Sequence, residues 1–132
     1  QAYNANELTI NDQLYLLESQ IIHSLAEKGP CVIIGRCADY VLREHKHTLN
    51  VFVHADIEFR KKRAVEHYGI SPKKIEEFLH KQDKHRAHYH SFYTDQKWKA
   101  IENYDLTIDS SRFGVDASVE MIIAAAKIKS GI

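Results

Sequence analysis

The amino-acid sequence predicts an α/β fold with a mainly parallel sheet and helices on both of its faces. Three short apolar runs, at 31–35, 49–55 and 104–111, are rich in branched side chains and bounded by turn-forming residues, which is typical of strands. Longer segments with helical spacing of apolar residues separate these runs. Strands that alternate with helices connect in parallel, so we expect a doubly wound sheet.

Composition is that of one globular domain, which we expect to span residues 1–132. The chain is 44% hydrophobic and 27% charged, and 18 Lys and Arg residues balance 18 Asp and Glu residues. A net charge of zero excludes a global basic field for nucleic acid or membrane. Two cysteines make no disulfide framework, no apolar run reaches the roughly 20 residues of a membrane span, and the start does not resemble a signal peptide. We therefore expect a cytoplasmic protein.

The first element is a predicted helix over 11–28 that packs on one face. Asn11 is the expected N-cap and Gly29 the expected end of the helix. The apolar residues recur at intervals of three and four along one side, at Leu14, Leu17, Ile21 and Leu25.

The central elements follow the first predicted strand at 31–35. Residues 38–47 are typical of a short helix or loop, and the second strand follows them. Asp56 is the expected N-cap of a helix that ends at Gly69. The next helix is predicted to begin with Ser71 as N-cap and Pro72 at the first helical position.

The last strand and a closing helix complete the predicted fold. Leu106 and Ile108 alternate with polar residues in that strand. The closing amphipathic helix spans 114–131, and its apolar positions are Val119, Ile122, Ile123 and Ala126.

The exit of the first predicted strand is a candidate ligand site. Ligands of doubly wound sheets bind at the carboxyl ends of the strands, where Gly35 and Arg36 are predicted to lie. Glycine permits close approach, and a guanidinium suits a phosphate or a carboxylate. The alternative is that Arg36 only pairs with a carboxylate such as Asp39.

Two further groups of charged residues share helix faces. Arg60 and Arg63 are three apart, so both could reach one polyphosphate; the alternative is a solvated basic face. Asp83 and Arg86 are also three apart, and the alternative there is an ordinary intrahelical ion pair.

Four stretches in order resemble the cytidylate kinase-like branch of the P-loop nucleoside monophosphate kinases: GPCVIIGRCADYVL, VFVHADIEFRKKR, DKHRAHYHSFYTDQKW and NYDLTIDSS. The resemblance implies a three-layer α/β/α parallel sheet and a lid-like segment at about 57–90. It also implies ATP and Mg²⁺ as cofactors and a nucleoside monophosphate such as CMP as the acceptor. The expected partner is a small-molecule nucleotide, with neither nucleic acid nor membrane, and a homo-oligomer is allowed.

The same resemblance implies roles for residues of the acceptor site. Arg36 stands where the family places an arginine on the acceptor phosphate. Asp83 and Arg86 match an Asp-x-x-Arg that contacts the acceptor's sugar and phosphate. Asp39 is the acid of a Gly-Arg-Asp pattern, displaced here by two positions, which leaves the base preference open.

The donor site is implied by two other segments. Arg60 and Arg63 fall in the lid, whose arginines close over the donor phosphates and the group in transfer, and they are the predicted catalytic residues. Ser111 and Arg112 lie in the loop that rests against the donor adenine. Positive charge and positioning are what phosphoryl transfer mainly requires.

One element of the resembled family is not found in the sequence. The chain contains no Gly-x-x-x-x-Gly-Lys-Ser/Thr loop, and the strand that carries this loop lies at the centre of the sheet in that family. We expect these residues to be the carboxyl-terminal portion of a longer chain. A second chain that supplies the strand, or a relative that has lost ATP binding, are the alternatives.

Other functions remain open from the sequence. A catalytically inactive module could retain the anion pockets and bind a nucleotide or protein as a regulator. The basic and aromatic segment near 86–98 could bind nucleic acid, which would weaken steeply with salt. His85 and His88 are three apart, but no tetrahedral ligand set accompanies them, so we predict no metal ligated by side chains.

Overall fold

The computed structural model describes residues 8–131, which contain helices and a small parallel sheet. The chain divides into two compact units, Gln1–Thr48 and Leu49–Ile132. The predicted mixture of helices and parallel strands is confirmed, but the sheet of the described part has two strands rather than three. A single domain over 1–132 stays a prediction.

The first unit is built on helix α1 (Ile10–Lys28). Its N-cap is Thr9, not the predicted Asn11. The Thr9 hydroxyl accepts from the Asp12 N–H at 3.1 Å, and the Asp12 carboxylate accepts from the Thr9 N–H at 3.4 Å. This reciprocal capping box satisfies two backbone donors that the helix cannot, which is why the helix begins earlier than predicted. Gly29 ends the helix as expected.

The packed face of α1 differs from the predicted one. Ile22 is buried with Val41 and Leu42, and Tyr15 and Ala26 pack against them. The residues predicted to be covered, Leu14, Leu17, Ile21 and Leu25, are instead about half exposed. Their neighbours in this unit are few, since a short helix and one extended segment cover only the stripe through Ile22.

Residues 31–34 are not a strand, contrary to the prediction. Val32 and Ile34 are 92% and 89% exposed, while Ile33 packs against the small core of this unit. A strand exists only when its backbone groups pair with a neighbouring strand. No such neighbour to 31–34 is found between residues 8 and 131.

A tight turn connects this segment to helix α2 (Ala38–Val41), the short helix expected here. Gly35, Arg36 and Cys37 have φ of 67°, 55° and 58°, so all three adopt the left-handed conformation. That conformation is open to glycine, but it costs on the order of 1 kcal/mol or more for each other residue.

The second unit contains strands β1 (Val51–His54) and β2 (Leu106–Asp109), which pair in parallel as predicted. The register places Val51 beside Leu106 and His54 beside Asp109, so both strands end at the same edge. Asp105 fixes the other edge: its carboxylate accepts from the Asn50 N–H at 2.7 Å.

Helices α3 (Ile57–Tyr68) and α4 (Ile75–Thr94) form a helical hairpin in the connection from β1 to β2. Asp56 caps α3 and Gly69 ends it, as predicted. Ser71 and Pro72 do not begin α4: the Lys74 N–H donates to the Ser71 carbonyl in a turn, and the helix starts three residues after Pro72. The hairpin is packed through Ala64, Ile75 and Leu79.

The remaining elements surround the sheet. A 3-10 helix (Ile101–Asn103) precedes β2, and the rings of Phe52, Trp98 and Tyr104 cluster beside it, with centroids 5.1–5.3 Å from Phe52. Helix α5 (Ser110–Phe113) follows β2, and the predicted closing helix is α6 (Val115–Ser130), which packs against β2.

None of the helices in residues 8–131 combines the length and the apolar character needed to cross a membrane.

Replacing Thr9 by Ala should lower the free energy of unfolding by about 1 kcal/mol, because the capping box loses its hydroxyl. Asn11→Ala is the matched control, since the asparagine side chain does not cap the helix, and it should change stability by under about 0.5 kcal/mol. Urea unfolding followed by circular dichroism measures both. A larger loss for Asn11→Ala would contradict this helix start.

Candidate functional site

The helical hairpin brings together three of the predicted site residues. Arg60 on α3 donates two hydrogen bonds to the Asp83 carboxylate on α4, from Nη1 to Oδ2 and from Nη2 to Oδ1, both at 2.7 Å. Arg86 lies one helical turn after Asp83, with its Nη1 3.9 Å from Oδ1. One arginine of the first predicted group and both residues of the second therefore form one cluster, Arg60, Asp83 and Arg86. We call it the lid cluster, after the predicted lid-like segment in which it lies.

The lid cluster is electropositive around one ionised carboxylate. Burial by itself would raise the pKa of Asp83, but hydrogen bonds from Arg60 and the charges of Lys99 and Arg86 outweigh it and lower that pKa. Asp83 and Arg60 are about four-fifths and three-quarters buried, so the pair is less screened than a surface ion pair. Three cations around one carboxylate leave an excess of positive charge, which suits an oxyanion ligand.

Arg63 lies apart from the lid cluster. Its guanidinium carbon is 6.0 Å from the centroid of the Phe59 ring on the same helix. The two predicted catalytic arginines thus have different neighbours, because one contacts a carboxylate and the other an aromatic face. Convergence of Arg60 and Arg63 on one polyphosphate remains a prediction.

Arg36 in the first unit pairs with a carboxylate that the sequence does not single out. Its Nε donates to Glu18 Oε2 at 2.8 Å and its Nη2 donates to Glu18 Oε1 at 3.0 Å. A carboxylate partner had been the alternative to phosphate binding, with Asp39 as the example. Asp39 lies in the first turn of α2, three residues along the chain.

The turn that carries Arg36 is anchored by a buried thiol. Cys37 is 4% exposed. Burial and then the charge of Asp39 raise the pKa of Cys37 to about 11, although Arg36 acts in the opposite direction. The thiol is therefore neutral at physiological pH and acts as a small apolar anchor.

The predicted adenine-side residues, Ser111 and Arg112, lie in the short helix α5 rather than in the predicted loop, because Asp109 caps a helix immediately after β2. Asp109 accepts hydrogen bonds from both the N–H and the hydroxyl of Ser111, and from Arg112 Nε at 3.2 Å. The Ser111 hydroxyl oxygen accepts from the N–H of Asp56, the N-cap of α3, at 3.1 Å. Hydrogen bonding from the Ser111 hydroxyl lowers the pKa of Asp109, so this carboxylate stays ionised and holds the start of α5.

A cavity of the second unit lies beside the aromatic cluster of Phe52 and Tyr104. This half-open cavity of about 340 Å³ is bounded by aromatic and apolar residues together with Lys99 and His54. None of the predicted site residues lines this cavity, and Lys99 is the one Lys or Arg among its lining residues. We therefore describe two separate groups of candidate phosphate contacts, the lid cluster in the second unit and Arg36 in the first.

The described residues fit phosphate groups better than they fit a metal. Between residues 8 and 131, no group of three or more His, Cys, Asp or Glu side chains is placed to share a metal ion. The arginines fit the phosphates of a nucleotide, since each presents a planar fork to an oxyanion.

Two residues of the site escaped the sequence analysis. Glu18 precedes Arg36 by 18 positions, and Lys99 follows Asp83 by 16, so no local spacing relates either pair. The only signal for Glu18 was its position four residues before Ile22, on the packed stripe of α1.

Replacing Asp83 by Asn should lower the free energy of unfolding at pH 7 by roughly 1–2 kcal/mol, because Arg60 keeps its charge and loses its bidentate partner. The lowered pKa sets the pH dependence. The stabilisation is complete above the unfolded-state pKa of about 3.9 and is lost as the pH falls through the folded-state value. Chemical denaturation at steps between pH 7 and pH 2 measures both effects.

Glu77→Gln is the control for Asp83→Asn, since it changes an exposed carboxylate on the same helix. The control should track the wild type at every pH. If the difference between wild type and Asp83→Asn does not shrink on acidification, the ion pair is not its cause.

Cys37 should react with iodoacetamide far more slowly than Cys31. Cys31 is exposed and Cys37 is buried. With a pKa of about 11, roughly one Cys37 thiol in a thousand is ionised at pH 8. Peptide mass spectrometry over a labelling time course measures both rates, and labelling in guanidinium should bring them close together. Fast labelling of Cys37 in the native protein would rule out the buried turn.

Comparisons with known proteins identify relatives of the chain. A family model described as "Cytidylate kinase-like family" matches residues 1–112. The crystal structure of an uncharacterized protein from Eubacterium ventriosum ATCC 27560 superposes with a TM-score of 0.83 at 30% identity, covering 89% of this chain and 74% of that one. No curated protein matched. The resemblance found in the sequence is confirmed: the chain belongs to the cytidylate kinase-like family.

Proposed function

We propose that this protein transfers a phosphoryl group from ATP to a small phosphorylated acceptor, a nucleoside monophosphate such as CMP. Membership of a cytidylate kinase-like family indicates a kinase-like phosphotransferase at the family level. The observation that carries the proposal further is the lid cluster, in which Arg60, Arg86 and the nearby Lys99 surround Asp83.

The lid cluster can serve both substrates. In the proposal, Arg60 and Arg63 act on the donor phosphates and on the phosphoryl group in transfer, where added positive charge stabilises the equatorial oxygens. Asp83 accepts from a sugar hydroxyl of the acceptor, and Arg86 binds its phosphate. The Arg60 and Asp83 pair must separate for both roles, so nucleotide binding exchanges this ion pair for contacts to the ligand.

Arg36 and Asp39 complete the acceptor site in this proposal, and Ser111 and Arg112 rest against the donor adenine. The hydrogen bonds of Asp109 to both residues support that role, because they hold helix α5 in place before a ligand arrives. A preformed segment loses less conformational freedom on binding.

ATP and Mg²⁺ are the proposed cofactors, and the chain is assigned no ligand to the metal. In sites of this kind Mg²⁺ usually keeps several waters and takes its other ligands from the substrate phosphates and one or two carboxylates. When bound, the metal would neutralise charge on the donor phosphates. We further propose a three-layer sheet of the P-loop type, in which a strand with the phosphate loop pairs beside β1. Cytoplasmic location and a homo-oligomer remain predictions.

A second candidate function is a catalytically inactive module that binds a nucleotide or protein as a regulator. The observation that favours it is that the 132 residues contain no Gly-x-x-x-x-Gly-Lys-Ser/Thr loop, the usual cradle for a triphosphate. Such a module would bind a monophosphate and transfer nothing.

We expect the full-length native protein to phosphorylate at least one nucleoside monophosphate with ATP and Mg²⁺. Arg60→Ala should lower kcat about a hundred-fold, because a cation on the phosphoryl group in transfer is lost. The matched control is Lys62→Ala, an exposed cation two residues along the same helix, which should retain activity. A coupled assay for ADP release with each monophosphate measures the rates.

Thermal shift on the same samples separates the two functions. Stabilisation by ATP together with a monophosphate, with transfer, supports the kinase. Stabilisation by a monophosphate without any transfer supports the regulatory module. Neither stabilisation nor transfer with any monophosphate would overturn both.

A further inference from the structure

We infer that Glu18 is a positioning residue for Arg36: its carboxylate sets the direction in which the guanidinium meets the acceptor phosphate. This inference rests on the proposed function, because Arg36 is the proposed contact of that phosphate. Three features of the first unit support it: the turn at 35–37, helix α1 and the geometry of the Arg36 and Glu18 pair.

The turn holds Arg36 in the left-handed backbone conformation, which is unfavourable for arginine. Arg36 has a φ of 55°, and its neighbours on either side, Gly35 and Cys37, have φ of 67° and 58°. Left-handed residues normally occur singly, and a run of them needs contacts on either side to persist. Burial of Cys37 supplies one such contact after Arg36. The carboxylate of Glu18 supplies a contact at Arg36 itself.

Glu18 is held in place by the helix to which it belongs. It lies in a 19-residue helix whose start is secured by the capping box at Thr9. Ile22, one helical turn later on the same face, is in the core of this unit. The Glu18 side chain is 25% exposed, so the carboxylate emerges from the packed stripe rather than from the solvent side.

The pair is a charge-assisted contact to both oxygens of a carboxylate. Oε2 of Glu18 lies 2.8 Å from both Nε and Nη2 of Arg36, and Nη2 also donates to Oε1 at 3.0 Å. A glutamine carries no charge and would place an NH₂ group, a donor, where one of these oxygens accepts, so it makes a weaker contact. The double contact also fixes the plane of the guanidinium, which a single contact would leave free to rotate.

Positioning, rather than neutralisation, is the effect expected of this pair. Arginine stays protonated beside any carboxylate, so Glu18 cannot remove its charge. The contact with Glu18 therefore leaves the charge of the guanidinium in place. A phosphate dianion therefore still binds a cation. Because Glu18 already fixes the orientation of the guanidinium, Arg36 loses less side-chain conformational freedom when the phosphate binds.

The test compares Glu18→Gln and Glu18→Asp in the full-length protein, with CMP and each other monophosphate as acceptor. Glu18→Gln should raise the acceptor KM about ten-fold, as expected when one charge-assisted contact is no longer held in place, while kcat changes by less than about three-fold. The KM for ATP should not change. Glu18→Asp, which keeps a carboxylate on a shorter side chain, should recover part of the acceptor affinity.

The matched control is Glu27→Gln, an exposed glutamate on the same helix that forms no salt bridge with any residue from 8 to 131. It should behave as wild type. Because the Arg36 and Glu18 pair is partly exposed, Glu18→Gln should keep its melting temperature within about 3 °C of wild type. A lower acceptor KM in Glu18→Gln would mean that Glu18 competes with the phosphate, and it would overturn the inference.

The outcomes separate this inference from the proposed function. An active wild type with unchanged acceptor KM in Glu18→Gln overturns only the role of Glu18. A wild type that neither binds nor phosphorylates any monophosphate overturns the proposed function, and the inference with it. A side-chain NMR signal of the Arg36 Nε–H that is protected from solvent exchange in wild type, but not in Glu18→Gln, would confirm the contact independently of activity.

Discussion

Parallel pairing of β1 with β2 is the constraint on which the second unit depends. Two parallel neighbours cannot be joined by a tight turn, so the chain must leave the carboxyl edge of β1 and return to the opposite edge to begin β2. The α3–α4 hairpin occupies that connection, and its packing through Ala64, Ile75 and Leu79 sets Arg60 against Asp83. The same register brings the ends of both strands together, so Ser111 at the start of α5 can accept a hydrogen bond from the Asp56 N–H.

Two proposed phosphate-binding arginines, one in each unit, hold a carboxylate of the chain itself. Arg60 binds Asp83 and Arg36 binds Glu18, each through two hydrogen bonds of 2.7–3.0 Å. Carboxylate and phosphate oxygens match the same guanidinium fork, so an internal acid can keep the cation ordered while no ligand is bound. The two acids have different proposed roles, however. Asp83 is to exchange its arginine for a substrate hydroxyl, whereas Glu18 is to keep hold of Arg36.

The sequence predicted those elements whose limits are set by local chemistry. Asp56 and Gly69 bound α3, and the branched residues of 51–54 and 106–109 form the two strands, because caps, left-handed glycines and β-branched side chains act within a few residues. It failed at Asn11, because Thr9 two residues earlier caps α1. It failed at Ser71, because a turn precedes the start of α4. It also failed at 31–34, because a strand needs a partner strand elsewhere in the chain. The ion pairs across long separations, such as Arg36 with Glu18, have no local signal at all.

The exposed 31–34 run is an edge at which another strand can pair. Its four residues carry no charge, three of them are β-branched, and Val32 and Ile34 face solvent with no partner strand among residues 8–131. Segments of this kind can align edge to edge with copies of themselves. In the proposed three-layer sheet, a further strand that pairs with this run would cover the edge and remove that tendency.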